Sequence, residues 1–132
     1  MGQYFVAANH TKKEFVCPWC VGGVAKLVEW MLNPQAAILP YLLRRSDGSG
    51  GGDIEDPSAV EYAGRWAGED VELLGDYEGD GSAYRQVYET YANISPDAVA
   101  EILAALGIGD IGLEVGVCGT CEQAAVVAAV AG

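Results

Sequence analysis

The sequence predicts an α+β domain in which a small mixed or antiparallel sheet packs with about two to four helices. Its 132 residues suit one domain, residues 1–132. Apolar residues make up 51% and charged residues 20% of the chain, a balance typical of a globular protein. Short β-prone runs alternate with segments of helical periodicity. Two Cys-x-x-Cys knuckles, near the N- and C-termini, are expected to come together.

The four cysteines form two pairs, Cys-Pro-Trp-Cys at residues 17–20 and Cys-Gly-Thr-Cys at residues 118–121. A Cys-x-x-Cys turn directs two sulfurs to one point, so two such turns can surround a tetrahedral ion with four thiolates. In zinc ribbons about 15 to 20 residues separate the pairs. Here residues 21–117 intervene, so the fold must return the second pair to the first. The sequence predicts a structural Zn²⁺ held by Cys17, Cys20, Cys118 and Cys121.

Redox chemistry is an alternative role for the first pair. A strand, Cys-Pro-aromatic-Cys and a helix in succession are similar to the active-site turn of glutaredoxins and thioredoxins, in which the helix lowers the thiol pKa. That family also needs a cis-proline loop facing the thiols, and the downstream candidate, Pro96, is better interpreted as a helix start. A thiol–disulfide oxidoreductase using Cys17 and Cys20 stays open, as do a disulfide and four ordinary buried thiols.

The first part of the chain predicts a β-hairpin and two helices. Residues 4–8 and 14–16 are β-prone runs on either side of a polar reversal, so the hairpin leads into the first cysteine pair. Residues 24–32 have helical periodicity, and Pro34 ends that helix. A second short helix is expected over residues 34–39, with a break at Pro40. The apolar stripe of the first helix consists of Val24, Leu27, Val28, Met31 and Leu32.

The middle of the chain is rich in glycine. Residues 46–53, Ser-Asp-Gly-Ser-Gly-Gly-Gly-Asp, are typical of a flexible surface loop, expected here as a mobile rim. Residues 71–77 alternate in hydropathy like a strand, and the turn at residues 68–70 before them suggests the central hairpin of a sheet.

The last part of the chain predicts two helices, a strand and a terminal helix. Tyr84, Val87, Tyr88 and Tyr91 fit an aromatic helical stripe whose simplest role is core packing. Ser95 is expected to cap the clearest helix, which should end at Gly107. Residues 113–117 are expected to form a last strand into the second cysteine pair, followed by a short helix from Glu122.

The acidic composition excludes some partners. Seven Lys and Arg against nineteen Asp and Glu give a net charge of −12 and a pI near 4.2. Such a chain repels the phosphate backbone, so we do not expect general nucleic-acid binding. We expect no membrane span, because no apolar run approaches 18 residues, and no secretory signal, because no basic-then-apolar N-terminus is present. A soluble cytoplasmic protein is the expectation, with its oligomeric state open.

Several blocks carry a family resemblance. Met-Gly-Gln-Tyr at residues 1–4, Gly-Arg-Trp-Ala-Gly at residues 64–68 and Gly-Asp-Tyr at residues 75–77 are the main ones, within a similarity that covers residues 1–96. The chain resembles an uncharacterised family of small proteins from bacteria and their phages. Many members of that family carry His or Asn instead of Cys around Pro18, which implies that the four-thiolate site belongs to this branch. The resemblance implies a phage-borne or horizontally acquired accessory protein and assigns no catalytic residue.

These observations lead to two hypotheses of function, and no motif assigns a catalytic residue in either of them. The first is a non-enzymatic, zinc-tied binding module that presents its glycine-rich loop and Arg65-Trp66 to a protein or a small anionic ligand. Its candidate ligand-binding residues are Asp53, Arg65, Trp66 and Asp76. The second is a metal-dependent hydrolase or nucleotide-processing enzyme with carboxylates around a divalent ion. Those carboxylates are Asp53, Asp70, Asp76 and Asp80.

Overall fold

The structure is a computed structural model that describes residues 3–48, 50–106 and 111–122. It confirms the α+β class: a four-stranded mixed sheet has the order β3-β1-β2-β4 and packs with helices. The two cysteine knuckles lie close together, as the sequence predicts. The strands are β1 (Phe5–Asn9), β2 (Glu14–Val16), β3 (Val71–Gly75) and β4 (Ala92–Asn93).

The sheet is built on the predicted N-terminal hairpin. Strands β1 and β2 pair antiparallel, with Ala7 opposite Val16, and β3 pairs antiparallel with the other edge of β1. Strand β4 pairs parallel with β2. The strand at residues 71–75 is therefore confirmed, but its placement in a central hairpin is wrong. Strand β3 pairs with β1 alone and therefore forms one edge of the sheet.

Short helices surround this sheet. The α-helices are α1 (Leu27–Leu32), α2 (Ile38–Leu43), α3 (Ser82–Thr90) and α4 (Ser95–Ala105), and 3₁₀ turns occupy Trp19–Val21, Pro34–Ala37 and Pro57–Ala59. Helix α2 passes through Pro40 instead of ending before it. Pro40 lies in the first turn, where its missing N–H would have no intrahelical partner. Within the described part of the chain, no helix has the length and hydrophobicity to cross a bilayer.

Helix α1 does not bury the apolar stripe that its periodicity indicates. Trp30 is the buried side chain of this helix, and its Nε1 donates to the carbonyl of Phe5 at 3.1 Å. The backbone before the helix is fixed by the buried Gln35, whose side-chain amide bonds both the N–H and the carbonyl of Val24. These anchors set the rotation of the helix, and the stripe faces solvent. Its residues are 38% to 77% exposed: Val24, Leu27, Val28, Met31 and Leu32.

Two further expectations differ from the structure in the C-terminal half, and two others lie outside the described residues. Helix α4 is confirmed, but Ile94 is its N-cap, and the Ser95 side chain is used elsewhere. Residues 113–117 are not a strand; they run past the 3₁₀ turn of the first knuckle with one backbone hydrogen bond to it, from Glu114 N to Val21 O. The expected end at Gly107 lies outside the described residues, as does nearly all of the helix expected from Glu122.

A buried ion pair fastens the loop before β3 to the hairpin. The Glu14 side chain is only 8% exposed and accepts from Arg65 Nη2 at 2.6 Å and Nε at 3.0 Å. It also accepts from Nε1 of Trp66 at 3.0 Å. Burial raises the pKa of Glu14, but the bonds from Arg65 and Trp66 outweigh it and hold the pKa below its ordinary value of 4.5. The charged carboxylate is thus the form that the fold requires.

We expect Glu14→Gln to lower the free energy of unfolding by about 1–3 kcal/mol at pH 7, because Arg65 loses its charged partner while side-chain volume is kept. Since the folded pKa of Glu14 is depressed, its contribution is present above pH 4.5 and is lost as pH falls through the folded pKa. Urea unfolding of both proteins at several pH values measures the difference, which should shrink below pH 4.5. The exposed Glu55→Gln is the control and should change stability by under about 0.5 kcal/mol. Equal effects of the two substitutions would contradict the assignment.

Candidate metal centre

The two knuckles form one cluster of four sulfurs. The Sγ atoms of Cys17, Cys20, Cys118 and Cys121 all lie within 4.8 Å of one another. Cys17 Sγ and Cys118 Sγ are 3.9 Å apart. An ion that binds four sulfurs at about 2.3 Å makes a tetrahedron with edges of about 3.8 Å. The cluster therefore has the donor type, donor number and spacing of a tetrahedral thiolate site.

The first knuckle is set by the hairpin and by a tight turn. Strand β2 ends at Val16, directly before Cys17, and the chain then reverses with the N–H groups of Val21 and Gly23 both donating to the carbonyl of Pro18, at 3.2 and 2.8 Å. Gly22 ends the turn at φ +82, a left-handed conformation that suits glycine. Cys17 and Cys20 are 0% and 3% exposed, so both sulfurs face the interior.

Within the part of the chain that the structure describes, the second knuckle has few anchors apart from its sulfurs. Leu113 packs into the core, and Glu114 N donates to Val21 O at 2.9 Å. The backbone N–H of Cys118 points at Cys20 Sγ, 3.3 Å away, and Glu122 N closes a helical turn onto the carbonyl of Cys118 at 2.9 Å. An ion bound between the knuckles would therefore be the main link that holds residues 118–121 in place.

Polar groups around the cluster donate to the sulfurs. Asn93 Nδ2 lies 3.3 Å from Cys20 Sγ, and the Tyr88 hydroxyl lies 3.4 Å from Cys17 Sγ. A side-chain amide N–H and a backbone N–H only donate, so Cys20 is an acceptor from both Asn93 and Cys118. Donors of this kind stabilise negative charge on sulfur and are typical of the groups that surround metal-bound thiolates.

Asn93 is held in its orientation by the start of α4. Strand β4 places Asn93 opposite Phe15, two residues before Cys17. The backbone N–H and hydroxyl of Ser95 both donate to Asn93 Oδ1, at 3.0 and 2.6 Å, which turns the amide nitrogen toward Cys20. Ser95 Oγ in turn accepts from Cys17 N at 2.8 Å. The hairpin, β4 and α4 thus jointly fix the first knuckle.

The sulfurs differ in their proton affinity. Hydrogen bonds from the thiols of Cys121 and Cys17 lower the pKa of Cys20 to about 2, against the opposing effect of burial. The bond from Cys121 also lowers the pKa of Cys17, but the bond of Cys17 to Cys20 and burial together raise it to about 12. The bonds of Cys121 to Cys17 and then Cys20 raise the pKa of Cys121. Negative charge is therefore favoured on Cys20 over Cys17 and Cys121, and a divalent ion would displace the protons that those two thiols hold.

The predicted ligand-binding residues lie outside this cluster. Trp66 is fully buried and its Nε1 donates to Glu14. The Arg65 side chain is 28% exposed, but its Nε and Nη2 are bound to Glu14. Asp53 accepts from Arg44 Nε at 2.7 Å, and this pairing organises the glycine-rich loop. Asp76 accepts from the backbone N–H of Tyr4 at 2.9 Å and lines a groove beside the knuckles.

The carboxylates of the hydrolase hypothesis do not converge. Among the residues that the structure describes, the four cysteines are the one group of three or more His, Cys, Asp or Glu side chains placed to hold an ion. Asp80 receives the N–H of Ser82 at 2.9 Å, as a turn residue before α3. Asp53 and Asp76 are held by the contacts given above. The geometry therefore gives no support to a divalent-ion site made of these aspartates.

The chain was compared with protein-family models, with curated proteins and with solved structures, and none of them matches it. Sequence reasoning missed Tyr88, Asn93 and Ser95 as neighbours of the sulfurs. From the sequence, Ser95 is expected only as a helix cap, and Asn93 has no predicted role. The available signal was a polar side chain at each of these positions, at the start of α4.

We expect Asn93→Asp to weaken divalent-metal affinity by about 10- to 100-fold, because it replaces the N–H donor at Cys20 by a carboxylate and keeps the acceptor for Ser95. Competition between the protein and a metal chelator, with Co²⁺ as a spectroscopic probe, measures the change. Asn33→Asp makes the same chemical substitution at the end of α1 and should leave the affinity unaltered. Equal affinities of Asn93→Asp and the unsubstituted protein would show that this bond does not support the cluster.

Proposed function

We propose that this chain is a small zinc-stabilised binding module, in which one structural Zn²⁺ ties the C-terminal knuckle to the N-terminal hairpin. The observation that carries the proposal is the convergence of four sulfurs at tetrahedral spacing. Zn²⁺ is the ion of choice for four thiolates, since it has no redox chemistry and accepts a closed tetrahedral shell. A closed shell leaves no position for substrate, so the role is structural.

The geometry favours this role over thiol–disulfide exchange. A redox-active pair needs one sulfur within reach of a partner's disulfide. Cys17 and Cys20 are both buried, and Cys20 lies within the three-residue 3₁₀ turn Trp19–Val21, where a thioredoxin-like site would have a long helix. Pro96 lies in the first turn of α4, as the sequence predicts. Donors aimed at two of the sulfurs also support a bound ion more than a disulfide.

The binding role rests on the protein surface around the metal centre. A module whose ends are tied by an ion presents a rigid surface, and a partner protein or a small ligand is the class of target we propose. The resemblance to a family of small bacterial and phage proteins is consistent with an accessory protein of this kind. The anionic ligand suggested by Arg65 has less support, because that guanidinium is bound to Glu14.

The test is metal content together with thiol state. Protein purified without added metal should carry about one zinc per chain and four reduced thiols under denaturing titration. A preparation with no metal and with a reducible Cys17–Cys20 disulfide would contradict the proposal and favour redox exchange.

Substitution of the ligands extends this test. We expect Cys17→Ser to unfold the domain, because it removes a ligand and places a hydroxyl at a site with 0% exposure. The double variant Cys118→Ser with Cys121→Ser keeps the buried first knuckle, and should lose the zinc while the amide of Glu114 exchanges faster with solvent. Thr120→Ser, between those two ligands, is the matched control and should retain both the metal and the protection. Retention of zinc by the double variant would rule out the four-sulfur site.

A further inference from the structure

An aromatic groove of about 420 Å³ lies beside the metal centre. Tyr84 and Tyr88 of α3 line one part of it, and Tyr4 and Trp19 line another. Trp19 stands between the ligands of the first knuckle and Thr120 between those of the second, so the groove is completed where the two knuckles meet. Its volume and its mainly aromatic lining are those of a small-ligand site.

The rings of the groove pack in two pairs, and Tyr88 also contacts Phe15 of the core at a centroid distance of 4.9 Å. Tyr4 and Trp19 pack edge to face, with centroids 5.7 Å apart, and Tyr84 and Tyr88 pack at a tilt with centroids 5.2 Å apart. Tyr4 is 40% and Trp19 is 36% exposed, so each presents part of its ring to solvent at the groove. The face of an aromatic ring carries partial negative charge and attracts cations.

The charges around the groove favour a cation too. Asp76 and Glu89 contribute carboxylates to its lining. The one cationic side chain there, Arg85, directs Nη1 at the carbonyl of Asp80, 3.4 Å away. Four thiolates around one Zn²⁺ add a net charge of about −2 next to the groove. The whole chain carries −12, which would steer a basic partner toward it.

We propose that this groove binds the alkylammonium group of a basic segment of a partner protein, with a trimethylated lysine as its preferred form. Aromatic rings cannot replace the hydrogen bonds that a primary ammonium or a guanidinium makes to water. A trimethylammonium group has no such bonds to lose, yet it keeps its full charge for the rings and carboxylates. The inference rests on the proposed zinc centre, which holds Trp19 and Thr120 in position.

The test uses zinc-loaded protein and two short peptides that differ at one side chain. One peptide carries trimethyl-lysine and the other its neutral isostere, in which carbon replaces the quaternary nitrogen. Trp19 supplies the signal, because Trp30 and Trp66 are only 4% and 0% exposed. We expect the charged peptide to bind about tenfold more tightly than the isostere, with unmethylated lysine between them. Equal binding of the two peptides would overturn the inference.

Two variants locate the binding to the groove. Tyr84→Leu removes a ring and Glu89→Gln removes a charge at the surface of α3, and each should weaken the charged peptide by several-fold while leaving the isostere unaffected. Glu55→Gln, an exposed carboxylate outside the groove, is the control and should change neither. Affinity for the charged peptide that is the same in all three variants would place the binding elsewhere and overturn the inference.

The zinc content of each sample separates this inference from the proposed function. A protein that takes up no zinc contradicts the metal centre, whatever the peptides do. A protein that holds one zinc per chain but does not distinguish the two peptides leaves the centre intact and overturns the cation groove alone.

Discussion

Four sulfurs brought together inside an apolar core are the constraint on which the rest of the structure depends. Buried thiolates are costly unless an opposite charge and hydrogen-bond donors compensate them. The fold supplies donors from three directions: Asn93 from β4, Tyr88 from α3 and the backbone N–H of Cys118 from the second knuckle. Ser95 links this set to the sheet through the N–H of Cys17. The divalent ion that we propose at the centre would complete the compensation and would account for the meeting of elements so distant in sequence.

The Glu14 pair is the corresponding constraint at the other end of the hairpin, and it explains the Gly-Arg-Trp-Ala-Gly block. Arg65 and Trp66 both donate to Glu14. Gly64 adopts φ +73, and a Cβ there would stand 2.5 Å from the carbonyl of Arg44. Arg65 and Trp66, which the sequence suggested as ligand-binding residues, therefore stabilise the fold instead. An arginine next to a tryptophan indicates a site only when neither has a partner inside the fold.

The sequence predicted well those features that have a local physical cause. The hairpin, the cysteine turns and α4 each follow from alternation, from short ligand spacing or from a proline at a helix start. The rotation of α1 could not be predicted, because it depends on Gln35 and Trp30 contacting backbone from other segments. Residues 113–117 have the composition of a strand, but the chain places them beside the first knuckle and not along the sheet. The convergence of the knuckles was inferable from chemistry, whereas Asn93 as a donor required the parallel pairing of β4 with β2.

The same contacts bear on the kind of ligand that we propose for the molecule. The sequence suggested an anion because arginine and glycine occur together, but Arg44 is bound to Asp53 and Arg65 to Glu14. These ion pairs neutralise the positive charge that would attract a small anion, while the excess of acidic side chains keeps the surface of the chain negative. The exposed rings beside the knuckles lie within that negative field. A cation gains from both the rings and the field, whereas an anion would have to overcome each of them.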